Sequence, residues 1–273
     1  MKKIIVVFDG AHFAEGAMNY VNTINNEAPV LAIGLFLPSI DYAEMLTFYS
    51  AGIAGPLYVP SIDTEANDIF ANVEKFKAYC IKYNIEHRVH DTINGGVVEV
   101  LRNESRYADL ILLSSDLFYE NLGEISKQEY IEDTLKATEC PVLLLPENYK
   151  TPASVIMAYD GTTSSIHAIK QFAYTMKEWV GVPTTIVYAS DKDDDIPELP
   201  MLKEYASRHF SDLTFLKLEA NPNKYFETWL QNKGAAMLVT GAYGKRTFTG
   251  SFKKHFLQEI IAEYKLPIFI AHK

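Results

Sequence analysis

The sequence predicts an α/β chain built from two similar doubly wound domains, each with a five-stranded parallel sheet flanked by helices. Three observations carry this reading. Lys3-Ile4-Ile5-Val6-Val7-Phe8-Asp9-Gly10 corresponds to Ser154-Val155-Ile156-Met157-Ala158-Tyr159-Asp160-Gly161, each an apolar run closed by Asp-Gly and followed by a helix-like stretch. The runs Ile4–Phe8, Leu110–Leu113 and Val142–Leu145 are continuously apolar, the pattern of strands buried on both faces of a parallel sheet. Helical periodicities separate these runs, and strand–helix alternation is the signature of α/β units.

Taken along the chain, Ile4–Phe8 reads as the first strand and Val30–Leu37 as the second. Pro38–Thr64 is a long link rich in aromatic and methionine side chains, among them Tyr42, Met45, Phe48 and Tyr58. A helix near Glu65–Tyr83 carries Phe70, Val73, Phe76, Ala78 and Cys80–Ile81, and a strand covers Ile85–His90. Tyr107–Ser115 corresponds to Gly234–Ala242, and Cys140–Pro146 to Leu266–His272, in the same order in both halves. Ser126-Lys127-Gln128-Glu129 is a capping box, and Ser251 stands before the stripe Phe252, Phe256, Leu257, Ile260, Ile261 and Tyr264. The chain reads as a duplication with a seam near Pro146–Pro152, giving domains 1–147 and 152–273.

Length and composition agree with a globular pair. The 273 residues are 48% apolar and 22% charged, enough for a real core. No apolar run approaches the ~20 residues of a membrane helix. Asp9 ends the N-terminal run after five apolar residues, short of the ~7–15 of a signal-peptide core. The expectation is a cytoplasmic protein without membrane association. Its two cysteines, Cys80 and Cys140, form no Cys-x-x-Cys and read as reduced packing residues.

Net charge is −10, which argues against nucleic acid as a partner. The charge is uneven. Residues 1–150 hold 11 basic and 22 acidic side chains, net −11, and residues 151–273 hold 14 and 13, net +1. An anionic ligand is therefore expected in the second half.

Ligands of open parallel sheets bind beyond the carboxyl ends of the strands, where strand order reverses. Asp9 and Asp160 lie at such ends. In the second half, Asp160-Gly161-Thr162-Thr163-Ser164-Ser165 and Val187–Ser190 meet a third segment, Thr240–Ser251, placed directly after a strand and before a helix. Glycines Gly241, Gly244 and Gly250 permit close approach of backbone to ligand, and free amides at a helix start attract anions. Ser251 caps that helix and can donate to phosphate; Lys245, Arg246, Lys253 and Lys254 add positive charge. The competing reading is a glycine turn before an ordinary capped helix. The first half has Ser114 at the Gly241 position, followed by Asp116 and Glu120, and so reads as degenerate for a nucleotide.

Other chemistries find little support. His87 and His90 are three apart in a strand and face opposite sides. The acidic run Asp191–Asp195 lacks the glycine and glutamate of a calcium loop. No nucleophile elbow, Walker loop or His-Glu-x-x-His occurs, so neither a catalytic residue nor a metal ligand is assigned.

Taken together, these residues resemble the universal stress protein family in its tandem form, over essentially the whole chain. Each half carries Asp-Gly at its first strand end and closes in Cys140-Pro141-Val142-Leu143-Leu144-Leu145 or Leu266-Pro267-Ile268-Phe269-Ile270-Ala271. The resemblance implies an adenine-nucleotide alpha-hydrolase-like fold. It implies Asp160 and the backbone at Ala189 near adenine and ribose, with Gly241, Gly244, Gly250 and Ser251 around the phosphates. The nucleotide-binding branch carries Gly-x-x-Gly, a spacer, then Gly-Ser or Gly-Thr. Here five residues separate Gly244 from Gly250-Ser251, a shorter spacer than that pattern's.

The leading expectation is a non-catalytic stress-response protein binding ATP or AMP in its C-terminal half, with no cofactor required. The alternative is a nucleotide-free interaction module whose halves pair as an intramolecular pseudo-dimer, with a homodimer of chains beyond that. A slow nucleotide hydrolase is the third reading; no evident general base accompanies the phosphate segment.

Overall fold

Residues Lys2–Asp9 form β1 and Val30–Leu37 form β2, parallel and in register from Lys2 opposite Val30 to Asp9 opposite Leu37. The computed structural model describes residues 1–9, 12–37, 62–90, 97–115, 135, 138–190, 194–219, 229–230, 235–241 and 266–271. The chain divides into two compact units, Met1–Glu139 and Cys140–Lys273. Both are α/β.

In the first unit β3 (Glu86–His90) flanks β2, and β4 (Leu110–Ser114) pairs with β1 on its other side, giving the order β3-β2-β1-β4. All described pairings in this unit are parallel. Ile4, Ile5, Val6, Leu110, Ile111 and Leu112 are wholly buried, as continuous apolar strands require. Helix α1 (Glu15–Glu27) buries Ala17, Tyr20, Val21 and Ile24, an i, i+3, i+4, i+7 stripe. Helix α2 spans Ile62–Lys82 and α3 spans Val97–Ser105.

The apolar residues of α2 do not all face inward. Its buried stripe is Asn72, Phe76 and Cys80, whereas Phe70 and Ile81 are exposed by 67% and 72%. At 3.6 residues per turn, Phe70 and Ile81 lie more than 100° around the helix from Phe76, so one face cannot bury all three. Burial pushes the Cys80 thiol up to about 12, which leaves negligible thiolate at neutral pH.

In the second unit β6 (Ser154–Tyr159) lies between β7 (Thr184–Ser190) and β9 (Ala236–Gly241). Strand β8 (Leu213–Glu219) flanks β7, and β10 (Ile268–Ala271) flanks β9, all in parallel. The sequence reading ends the first half with Val142–Leu145. In the structure this strand, β5, belongs to the second unit and runs antiparallel to β10, with Leu143 opposite Phe269. A strand without a polar residue must cover both faces and pair its backbone, but its sequence does not say with whom. Helices α4 (Thr163–Thr175) and α5 (Leu199–Ala206) and a 3-10 turn, Lys177–Trp179, complete the described elements. Phe172 of α4 sets its ring edge against Phe269 of β10, centroids 5.2 Å apart.

Candidate functional site

The order β8-β7-β6-β9-β10 reverses direction at β6, so the switch point of the second unit lies between β6 and β9. A crevice outside the carboxyl ends of such neighbouring strands is the standard ligand position of this architecture. Asp160 follows β6, Gly241 ends β9, and Ala189 lies half-buried near the end of β7. The structure therefore brings these three to one end of the sheet. Gly244, Gly250 and Ser251 lie outside the described residues, as do Lys245, Arg246, Lys253 and Lys254.

Asp160 is held rather than loose. Its Oδ1 accepts from the Thr162 amide at 3.0 Å and from the Thr162 hydroxyl at 2.6 Å. Thr162 is the N-cap of α4, and its oxygen accepts from the Ser165 amide at 3.3 Å. Asp160 Oδ2 is buried and has no hydrogen-bond partner among the described residues. A buried acceptor of this kind calls for a donor. Thr162→Ala removes both the cap and one support of the carboxylate. The expected cost is about 1 kcal/mol, read by urea unfolding; a change below a few tenths would show that the cap is not carried by this hydroxyl.

Two glycines shape the site. Gly161 has φ +77°, and a Cβ there would come within 2.8 Å of the Pro197 side chain. At Gly241 a Cβ would lie 2.7 Å from Ser164 Oγ and 2.8 Å from the Ser164 carbonyl carbon and oxygen. The end of β9 thus touches the first turn of α4, and Gly241 is small because the protein's own backbone approaches it.

A feature missed in the sequence sits beside Asp160. Tyr159 donates its hydroxyl to the Pro197 carbonyl at 3.0 Å, and Tyr188 donates to Asp194 Oδ2, also at 3.0 Å. Segment 194–198 is thereby tied to the ends of β6 and β7. Burial raises both tyrosine hydroxyls above their ordinary range, with nearby carboxylates adding to the effect. Hydrogen bonding, first from Ser190 and then from Tyr188, holds the Asp194 carboxyl below its ordinary value. The signal was present in the repeat: Tyr159 stands where the first half has Phe8, and aligned phenylalanines replaced by tyrosines ask what the hydroxyls reach.

Among the described residues no group of three His, Cys, Asp or Glu side chains is placed to hold a metal. No helix among them is long and apolar enough to cross a membrane.

No family model matches the chain, and no curated protein matches it significantly. Solved structures do. A universal stress protein from Archaeoglobus fulgidus DSM 4304 superposes with a TM-score of 0.66 at 15% identity, covering 100% of this chain and 96% of that one. The fold is that of a universal stress protein. A protein of unknown function from Pseudomonas aeruginosa PAO1 matches over 100% of this chain and 92% of its own, with TM-score 0.54 and 10% identity. The cytoplasmic domain of a prokaryotic cation chloride cotransporter matches over 98% and 94%, with TM-score 0.53 and 12% identity. Likeness at these identities speaks to fold alone, and function has to be argued from the site.

Proposed function

We propose that the chain is a cytoplasmic, non-catalytic stress-response protein of the universal stress type, duplicated in sequence, whose second unit binds an adenine nucleotide, ATP or AMP. The observation that carries this is Asp160: a carboxylate at the switch point, fixed through Oδ1, with Oδ2 buried and unpartnered among the described residues. Ribose hydroxyls and an exocyclic amine are donors of the kind it lacks. The glycine-bearing segment after β9, with Gly244, Gly250 and Ser251, supplies the phosphate end by its sequence.

Isothermal titration of the full chain with ATP and AMP tests the reading. Binding in the micromolar to millimolar range is expected, and Asp160→Ala should weaken it by about tenfold or more, the worth of a charge-assisted hydrogen bond. Absence of heat from a folded sample at millimolar ligand would reject it.

One observation favours the nucleotide-free interaction module. Ser164 fills the space that a Cβ at Gly241 would need, so this glycine has a structural explanation without a ligand. Nucleotide carried through purification and released on denaturation would count against the module. For hydrolysis, an Asp160→Ala control in an ATP turnover assay separates a genuine slow activity from contamination.

A further inference from the structure

Helix α2 lays its buried stripe on β2 and β3. Its outward side carries Phe70, Glu74, Lys77 and Ile81, at i, i+4, i+7 and i+11. At 3.6 residues per turn these four fall within about 60° of one another, a single row along the helix. Phe70 and Ile81 are among the most exposed large apolar side chains of the described residues. They end the row, about 16 Å apart along the helix axis. Between them Lys77 donates to Glu74 at 2.9 Å, and both side chains stay about half exposed. Ala71 and Ala78 are exposed beside the row and small enough to let a second helix come close.

One exposed phenylalanine needs no partner. The order of this row does point to one. It runs apolar, acidic, basic, apolar, and its midpoint lies between Lys75 and Phe76. Turned end for end about that midpoint, the row meets its own complement. Phe70 comes opposite Ile81 and Glu74 opposite Lys77, each pair occurring twice. That is the pattern of a two-fold interface, in which residue i meets j and j meets i. A parallel pairing would instead set Glu74 against Glu74 and Lys77 against Lys77, which repel. The antiparallel pairing leaves no charge without its opposite. The bond from Lys77 to Glu74 within each helix is joined by its equivalent across the pair, while Phe70 and Ile81 leave water.

We propose that this side of α2 is a self-association surface whose partner is a second copy of the chain, docked antiparallel about a two-fold axis between Lys75 and Phe76. One helix against one helix buries less than the ~1,200 Å² of a stable interface, so the dimer is weak and depends on concentration. A dissociation constant of about 10–300 µM is expected. The surface belongs to the first unit, and the inference does not rest on the nucleotide reading.

Sedimentation of the full chain, from about 5 to 500 µM at low ionic strength, tests it. Wild type should pass from monomer towards dimer over that range. Glu74→Lys alone and Lys77→Glu alone each set like charges across the axis, and each should weaken association about tenfold. An equimolar mixture of these two variants should associate about as tightly as wild type, because one copy then presents only lysines at the centre of the row and the other only glutamates. Phe70→Ser should also weaken association about tenfold, by removing apolar burial from both copies. These positions are exposed, so circular dichroism of the variants should match wild type; should Phe70→Ser not fold, the charge variants and their mixture decide. A wild type that stays monomeric throughout would overturn the inference. So would a dimer that none of the variants weakens, or charge variants that fail to associate when mixed. A monomeric wild type whose unfolding midpoint falls on Phe70→Ser would give this side of α2 to a contact within the chain, and would overturn it as well.

Discussion

Gly241→Ala is expected to destabilise the second unit by about 2–3 kcal/mol, and Gly241→Val by more. The added Cβ would meet the Ser164 carbonyl carbon and oxygen at 2.8 Å. These are backbone atoms in the first turn of α4, and they cannot swing aside as a side chain can. The helix start is pinned by Thr162 and Asp160, so it cannot slide away without losing those hydrogen bonds. The strand cannot yield easily either, since β9 lies between β6 and β10 and is buried throughout. Ser164→Ala in the Gly241→Ala background should recover little, because it removes only Oγ and leaves the carbonyl. Urea unfolding monitored by fluorescence reads the effect, and a loss under about 0.5 kcal/mol would show that strand and helix are not in the contact described. The outcome bears on function: lost ligand affinity in a Gly241 variant must be separated from lost folding before it is credited to the site.

The sheet was legible in the sequence because its strands are buried on both faces. Ile4–Phe8, Leu110–Leu113 and Val155–Ala158 contain no polar residue that could mislead, and the Asp-Gly that closes β6 marks where the backbone turns. What the sequence left open was direction and register. Pairing of the last strands, Val142–Leu145 and Ile268–Ala271, belonged to the pseudo-dimer reading, but an unbroken apolar run does not show that the two run antiparallel with Leu143 opposite Phe269. The inward face of α2 was not legible for a related reason: Phe70, Phe76 and Ile81 are all apolar, and only packing decides which of them is buried. At the site, Asp160 and Gly241 were found by position at strand ends. The ties from Tyr159 and Tyr188 were not, because they are made through hydroxyls that composition counts as aromatic surface. Gly241 was expected to let a ligand approach the backbone; the group that the structure brings against it is Ser164.

Phe76→Ala should cost the first unit about 3–5 kcal/mol. Phe76 is fully buried and meets Phe8 at 5.6 Å, Phe36 at 6.0 Å and His87 at 5.8 Å, each near edge-on. Its removal takes away both its own burial and the edge contacts that hold the stacked Phe8–Phe36 pair. A β-strand neighbour has already adapted to it. Gly34 faces this ring, and a Cβ there would lie 2.9 Å from both Phe76 and Phe36 ring carbons. Gly34→Ala alone is therefore expected to be destabilising, although the atoms it meets are the far ends of side chains and can shift by a few tenths of an ångström. In the Phe76→Ala background half of that obstruction is gone and a void stands beside the new methyl group. Gly34→Ala should then cost less than it does in the wild type, or gain stability, so that the two substitutions are non-additive by about 1 kcal/mol. Additive costs in the double-mutant cycle would mean that the void collapses onto β2, with the Phe8 and Phe36 rings moving in to fill it before the methyl can.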